Sequence, residues 1–410
     1  MKTLVQYINE SFDRFYKLSE QDKNTLLRLD LEYHLLFEKF SLEQVHFMNV
    51  TNSSKEIERI VELFHKNKEF DLNIKYEKSK FEDKQFCDDL IDKLNDLRHQ
   101  FYSLNCYLSK FYIENIEEKI ASIDFFRSYI KNPDTRSKFI TKPSENVYTE
   151  AIKILKENKF QEVKKLDKKF QRDFTPEESQ KRLQKIIDKH GFGWKVIIDD
   201  NMIPRMSVRP YKEFRISRNN QFSEVDLQSL EVHEIEVHTA RKYYGLQTGL
   251  FLFLYGLNGN NTLDEGIAIY NSLHKTKTPK PNILFYTAIK IVMLYHLDDM
   301  TNLEIFKFVK DLTNAPDNVI ALSLIRINRV ANDTILFNSS ANSDSVDRDY
   351  LTGYLMVKEM SDAEREELIR YAIGPAQIYE LNNIKKFLKV NKFEPLNYTR
   401  SEENDNGEAY

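Results

Sequence analysis

The first 190 residues of this 410-residue chain contain no glycine, and seven of its ten glycines fall between Gly191 and Gly266. Glycine serves where backbone turns tightly or approaches something closely. Its absence early on predicts helices joined by plain turns, and its concentration afterwards marks where the geometry becomes demanding. Cysteine is almost missing: Cys87 and Cys106 lie far apart with no CxxC spacing. That argues against a thiolate metal site or a disulfide framework and predicts reduced core thiols in a reducing compartment. Long apolar runs are missing too. The stretch "TGLFLFLYGL" (248–257) falls well short of the roughly 18 residues that span a bilayer, and the N-terminus lacks the pattern of a signal peptide. Nor does one charge sign dominate: 60 basic against 64 acidic side chains give a net charge of -4, no general reason to expect nucleic acid as a partner. The expectation is a soluble, cytoplasmic protein that binds neither membrane nor nucleic acid.

What is present suits a globular, mostly helical molecule. The chain is 41% hydrophobic and 30% charged, enough to bury a core. Tyr7, Ile8, Phe12, Phe15 and Tyr16 recur at helical spacing, and the same rhythm from Lys84 to Lys131 predicts a helical hairpin. "TPEESQKRLQKIIDKHG" carries both ends of a helix: Thr175 as N-cap, Pro176 in the first turn, Glu178 closing a capping box and Gly191 past the end. Then "WKVIIDD", "RMSVRP" and "EFRISRN" read as short strands, with "RPYKE" as a hairpin turn. They predict a small antiparallel sheet at 194–219. Ser223 is a helix N-cap with Phe222 as its hydrophobic staple, and that helix should end at Gly245. Another helix starts near Thr262. Thr301 with Glu304 and Ser361 with Glu364 read as capping boxes, the latter helix ending at Gly374. The fold class expected is mainly α with a small antiparallel sheet (α+β). Its expected parts are an N-terminal helical region (1–140), a domain that carries the small sheet (141–395) and a mobile acidic tail (396–410).

The chemistry concentrates in "EVHEIEVHTARKYYG". His233 and His238 are five positions apart, one more than in the HExxH zinc motif. On an α-helix such residues point about 140° apart and lie roughly 7.5 Å apart along the axis, which two ligands of one metal cannot easily satisfy. Either the pair is a coincidence on an amphipathic helix, or the helix is locally widened by a π-type turn that returns both imidazoles to one face. A metal reading would make Glu234 the general base and Glu265, in "LDEGIA", the third ligand. The competing role for Glu265 is a capping box with Thr262. Arg241 reads as a partner of a ligand carboxylate, a grip on a substrate carboxylate, or a surface residue. Asp264 reads as helix N-terminal charge compensation or, less readily, as a partner of a metal ligand, and Glu236 as solvated.

"HEIEVHTAR" followed by "LDEGIAIYNSL" resembles the HExxxH metallopeptidase family that includes the microtubule-associated tyrosine carboxypeptidases, whose bacterial members carry a "QEGLA" motif. "FDLNIKY" (70–76), "MSVRPYKEFRISR" and "RDYLTGYL" (348–355) extend the resemblance to roughly residues 60 to 390. Three positions depart from the family pattern: Glu236 stands where glycine is usual, Asp264 where glutamine is, and Val346 where lysine commonly precedes the "YLxG" segment. The resemblance implies a zincin-like helical metallopeptidase in which His233, His238 and Glu265 bind Zn2+ and Glu234 is catalytic. It also implies removal of a C-terminal aromatic residue from a peptide or protein. A carboxypeptidase must hold a free carboxylate, a task suited to arginine; the candidates are Arg209, Arg215, Arg218, Arg241, Arg326 and Arg329. Tyr350 is a candidate to stabilise the oxyanion, "EFRIS" a candidate edge for a substrate strand, and the chain's own Tyr410 a candidate self-substrate. The rival readings are a non-enzymatic helical scaffold retaining the metal fold, and an aminopeptidase or amidase using the same centre.

Overall fold

The computed structural model describes residues 18–48, 50–76, 78, 80–131, 142–158, 160, 170–200, 205–209, 212–276, 282–328 and 346–388. The helix expected around Tyr7 to Tyr16, the acidic tail with Tyr410, and Arg329 lie outside them. The order of elements is α1 (Glu20–Met48), α2 (Ser53–His65), α3 (Lys84–Ser103), α4 (Ser109–Lys131), α5 (Glu145–Glu157), α6 (Pro176–His190), β1 (Lys195–Asp199), β2 (Met206–Arg209) and β3 (Glu213–Ser217). There follow α7 (Glu224–Leu230), a π-helix (Glu231–Thr239), α8 (Ala240–Gln247), α9 (Phe251–Tyr255) and α10 (Asn260–His274). Last come α11 (Ile283–His296), α12 (Asn302–Thr313), α13 (Asp317–Asn328), α14 (Val346–Val357), α15 (Asp362–Tyr371) and α16 (Leu381–Leu388). The molecule is mainly helical with one small sheet. Among the described residues no helix is long and apolar enough to cross a membrane.

Local signals account for many of the boundaries. Thr175, Thr301 and Ser361 each close a capping box with the glutamate three residues on, and Gly191 ends α6 in the left-handed conformation at φ 70°. The hairpin read between Lys84 and Lys131 is α3 and α4. Two glycine readings need correction. Gly245 lies inside α8; a Cβ there would meet the Phe253 carbonyl, so the missing side chain serves close packing against α9. Gly374 lies beyond α15, whose left-handed cap is Ala372.

The sheet is mixed, in the order β1-β3-β2. β2 and β3 form the expected antiparallel hairpin, with Arg209 opposite Glu213, but β1 runs parallel to β3, with Val196 opposite Phe214. Alternation along a strand tells which face is buried, not which neighbour it takes or in what direction. β3 takes the centre because Phe214 and Ile216 are fully buried. "EFRIS" therefore has both edges paired, so the expected substrate edge cannot be β3. The outer edge of β1 is also covered: the Val196 N–H donates to Gln184 Oε1 at 2.8 Å, and Gln180 Nε2 donates to the Val196 carbonyl at 2.8 Å, both glutamines from α6.

Two apolar clusters hold the helices together. One gathers α1, α3 and α4 with α6, the sheet and α7 to α10; the other gathers α2, α5 and α11 to α14. Asp30 of α1 shows how the early helices brace the later ones. Its buried carboxylate accepts from the backbone N–H of Phe251 and Leu252 at 2.8 and 3.1 Å and from the Tyr112 hydroxyl at 2.6 Å. It thus satisfies the orphan donors at the start of α9.

α10 and α14 cross glycine on glycine. A Cβ on Gly266 would strike the Gly353 backbone, and one on Gly353 would strike the Thr262 carbonyl. The Thr262 hydroxyl donates to Asp349 at 2.7 Å across the same crossing. Replacing Gly353 with alanine would raise helix propensity by about 0.5–1 kcal/mol. Overpacking against backbone costs about 1–3 kcal/mol and should win. Gly353→Ala should therefore lower the thermal midpoint, which calorimetry checks; an unchanged midpoint would show that the crossing tolerates a methyl.

Candidate metal centre

The helix that carries the two histidines is fixed at its start. Ser223 Oγ accepts from the Asp226 N–H at 3.1 Å and the Ser223 N–H donates to Asp226 Oδ2 at 3.1 Å. Arg205 then grips the same Asp226 through Nη1 and Nη2 at 3.1 and 3.0 Å. After the seven residues of α7 the backbone widens into the nine-residue π-helix, and both histidines lie within it. The Thr239 hydroxyl donates to the Glu234 carbonyl at 2.9 Å, five residues back. The widening that a shared metal demanded of this sequence is present. It brings the His233 and His238 rings to 5.1 Å between centroids.

Glu265 reaches the pair from α10. Its Oε2 lies 3.6 Å from His233 Nε2 and 3.7 Å from His238 Nε2. Ligands about 2.0–2.2 Å from zinc in a tetrahedron stand roughly 3.4 Å apart, so the three atoms are spaced to share one ion. Glu265 Oε2 is buried with no hydrogen-bond partner among the described residues. An orphaned buried acceptor costs about 1–3 kcal/mol, and a cation between the imidazoles would satisfy it. The capping-box alternative does not form. Thr262 is the third residue of α10, behind a left-handed Gly259 at the N-cap, and its hydroxyl is directed to Asp349.

The far side of each imidazole is also held. His238 Nδ1 lies 2.9 Å from Asp264 Oδ2, and His233 Nδ1 lies 3.1 Å from Ser272 Oγ. Ser272 donates its own proton to the Ala268 carbonyl at 2.8 Å, so its oxygen is left to accept from His233. Both rings are thus held through Nδ1–H, which reserves each Nε2, the atom that faces Glu265, for a metal that would displace any proton there. Burial alone would lower the His238 pKa, but the carboxylates of Asp264, Glu265 and Glu234 outweigh it and push it up to about 10. Burial would raise Asp264; Arg241 and His238 instead hold it well below the usual carboxylate range. Arg241 is itself buried, with Nε 3.1 Å from Asp264 Oδ1, and burial pulls its pKa below the ordinary value against the pull of Asp264 and Glu265.

Glu234 sits beside the triad, its carboxylate oxygens 3.8 Å from His233 Nε2 and 3.9 Å from His238 Nε2. The arrangement can hold a divalent cation and supply one carboxylate next to it as a proton acceptor. The other candidates lie elsewhere. Arg215 forks onto Glu213 and Asp199, and Arg218 onto Glu177 and Asp200. Arg209 is on β2 and Arg326 on α13, in the second apolar cluster's territory. Tyr350, half-buried on α14, has Lys290 Nζ 5.1 Å from its ring centroid.

Asp264 lies against His238, the less favoured of the two roles its sequence position offers. Ser272 is the supporting residue that the sequence did not single out. Ser272 lies seven residues beyond Glu265, two turns along the same face. Glu236 is also corrected: it is buried, and burial pushes its carboxyl up to about 7.

The family model for the microtubule-associated tyrosine carboxypeptidases matches residues 65–278, and the chain belongs to that family. The match spans β1 to β3, the π-helix and Glu265; "RDYLTGYL" lies beyond it. A search of curated proteins finds no significant match. Family membership makes the protein a peptidase of the carboxypeptidase type.

Asp264→Asn should test how the far side of His238 is held. Loss of such a partner typically weakens metal affinity about 10–100-fold. Competition with a chromophoric chelator would measure this, and wild-type affinity in the variant would show that His238 is oriented without Asp264.

Proposed function

We propose that this member of the tyrosine carboxypeptidase family is a zinc-dependent carboxypeptidase that removes a C-terminal aromatic residue from a peptide or protein. The observation that carries the zinc reading is the convergence of His233, His238 and Glu265 across a π-helix, with an orphaned carboxylate oxygen at the centre. The aromatic specificity follows the family's description. Bound zinc would supply Lewis acidity, polarising the scissile carbonyl and acidifying a water toward neutral pH.

The chain's own residues do the rest. Glu234 takes the proton of the attacking water and returns it to the leaving amine. Asp264 and Ser272 keep both imidazoles in the required tautomer, and Arg241 keeps Asp264 ionised. Peptide substrates commonly add a strand to an open edge. With β3 central and β1 covered by α6, the outer edge of β2 is the one we assign. The Ser217 N–H donates to the Arg205 carbonyl at 3.0 Å, so the antiparallel alternation turns the backbone groups of Met206 and Val208 outward. β2 also packs against the π-helix. Arg209 closes this strand, and we assign it the substrate's terminal carboxylate. A non-enzymatic scaffold would have no use for Glu234 beside the triad, and that placement favours the enzyme.

A C-terminally varied peptide library, read by mass spectrometry with and without chelator, tests the reaction. Single aromatic residues should be lost from free C-termini, and chelation should stop it. Glu234→Gln should retain metal while losing about 10²–10⁴-fold in kcat. Cleavage of amidated peptides, or an active Glu234→Gln variant, would sink the assignment. Arg209→Ala should raise KM for free-acid peptides while leaving kcat nearly intact; unchanged KM would move the carboxylate site elsewhere.

A further inference from the structure

The π-helix that brings His233 beside His238 does the same for a second pair on another face. Glu231 and Glu236 are also five residues apart, and both lie within Glu231–Thr239. His190, the last residue of α6, completes a group whose ligand atoms all lie within 4.8 Å of one another. The two triads share no residue. The front one is two imidazoles and a carboxylate; this one is two carboxylates and an imidazole.

The His190 side chain is only 2% exposed, and its Nδ1 has no hydrogen-bond partner among the described residues. Its Nε2 faces Glu236 Oε1 at 3.9 Å, too far for a hydrogen bond. Phe192 stacks flat against the ring, the planes 8° apart, which fixes its direction. A deeply buried imidazole directed at two carboxylates without bonding either is placed as a ligand would be. Glu231 and Glu236 also line a cavity of about 850 Å³, whose wall includes Val232, Ile267, Asn271 and Lys275. None of His233, Glu234, His238 or Glu265 lines it.

We propose that His190, Glu231 and Glu236 form a second divalent-cation site on the reverse of the π-helix, open to this cavity. Two carboxylates and one imidazole suit Mn2+ or Zn2+. The ion would tie the C-terminal end of α6, where a cation also meets the negative end of the helix dipole, to the widened turn. Coordination positions left over would face the cavity and take water or an anionic ligand. Lys189 and Lys275 line the same cavity and supply the competing explanation, in which ammonium groups alone balance the two carboxylates.

The test uses full-length protein, stripped with chelator, reloaded with Mn2+ or Zn2+ and assayed for bound metal by elemental analysis. Wild type should retain about two equivalents, and Glu231→Gln/Glu236→Gln about one. His190→Gln, which keeps the packing volume and all local charge, should lose the same equivalent. Binding of the second equivalent should raise the thermal midpoint of wild type but not of His190→Gln. If folded Glu231→Gln/Glu236→Gln and His190→Gln both hold as much metal as wild type, the site does not exist and the lysines suffice. His233→Ala separates this from the peptidase reading: it should lose the front equivalent and keep the rear one. A wild type with a single equivalent, lost in His190→Gln and kept in His233→Ala, would retain this site and remove the proposed zinc peptidase.

Discussion

One extra residue in one helix turn governs this molecule. An α-helix cannot point positions 233 and 238 the same way, so the candidate centre exists only because the backbone closes i to i+5 through Glu231–Thr239. Such a turn has poorer intrinsic geometry than the α-helix and must be held from outside. On its N-terminal side the Ser223–Asp226 box and Arg205 fix the start. Inside, Thr239 bonds back to the Glu234 carbonyl. On its C-terminal side Gly245 lets α9 press against α8. The widened segment is held at both ends.

Charge makes the same point as geometry. Asp264, Glu265 and Glu234 bring three carboxylates to the imidazoles, and Arg241 is the guanidinium that joins them. Counted formally, three carboxylates and one guanidinium leave two negative charges, which one divalent cation cancels. The same carboxylates push the His238 pKa up to about 10 despite burial. The orphaned Glu265 oxygen and the raised imidazole are therefore two expressions of one demand for positive charge.

Much of this was legible in the sequence because it was local. Capping boxes involve residues three apart, and Thr175, Ser223, Thr301 and Ser361 all cap where their spacing predicts. The π-helix was legible in a different way, as a demand: if His233 and His238 share an ion, the backbone has no other means. The direction of β1 was not legible, because Lys195 pairs with Glu213, well down the chain, and that pairing leaves no mark on alternation. Nor was the role of the glycines at 245 and 353, whose purpose is the approach of another segment's backbone rather than a turn in their own. Thr262 offered a rival that the structure does not form. Its spacing from Glu265 satisfies the capping rule, but Gly259 starts the helix earlier and frees the hydroxyl for Asp349.

The departure of Glu236 from the family's usual glycine fits the same frame. A widened turn aligns every pair five apart, not only the pair the chemistry needs, so it offers Glu231 and Glu236 a common face whether or not that face is used. A glycine at 236 would leave that face without its second carboxylate. A buried glutamate there costs desolvation, which the burial-raised pKa of its carboxyl expresses, and His190 is packed at the far end of α6 where an imidazole can meet it. Two buried polar side chains that face each other without bonding are costly unless something stands between them. In this helix the device that builds the front of the turn also builds its back.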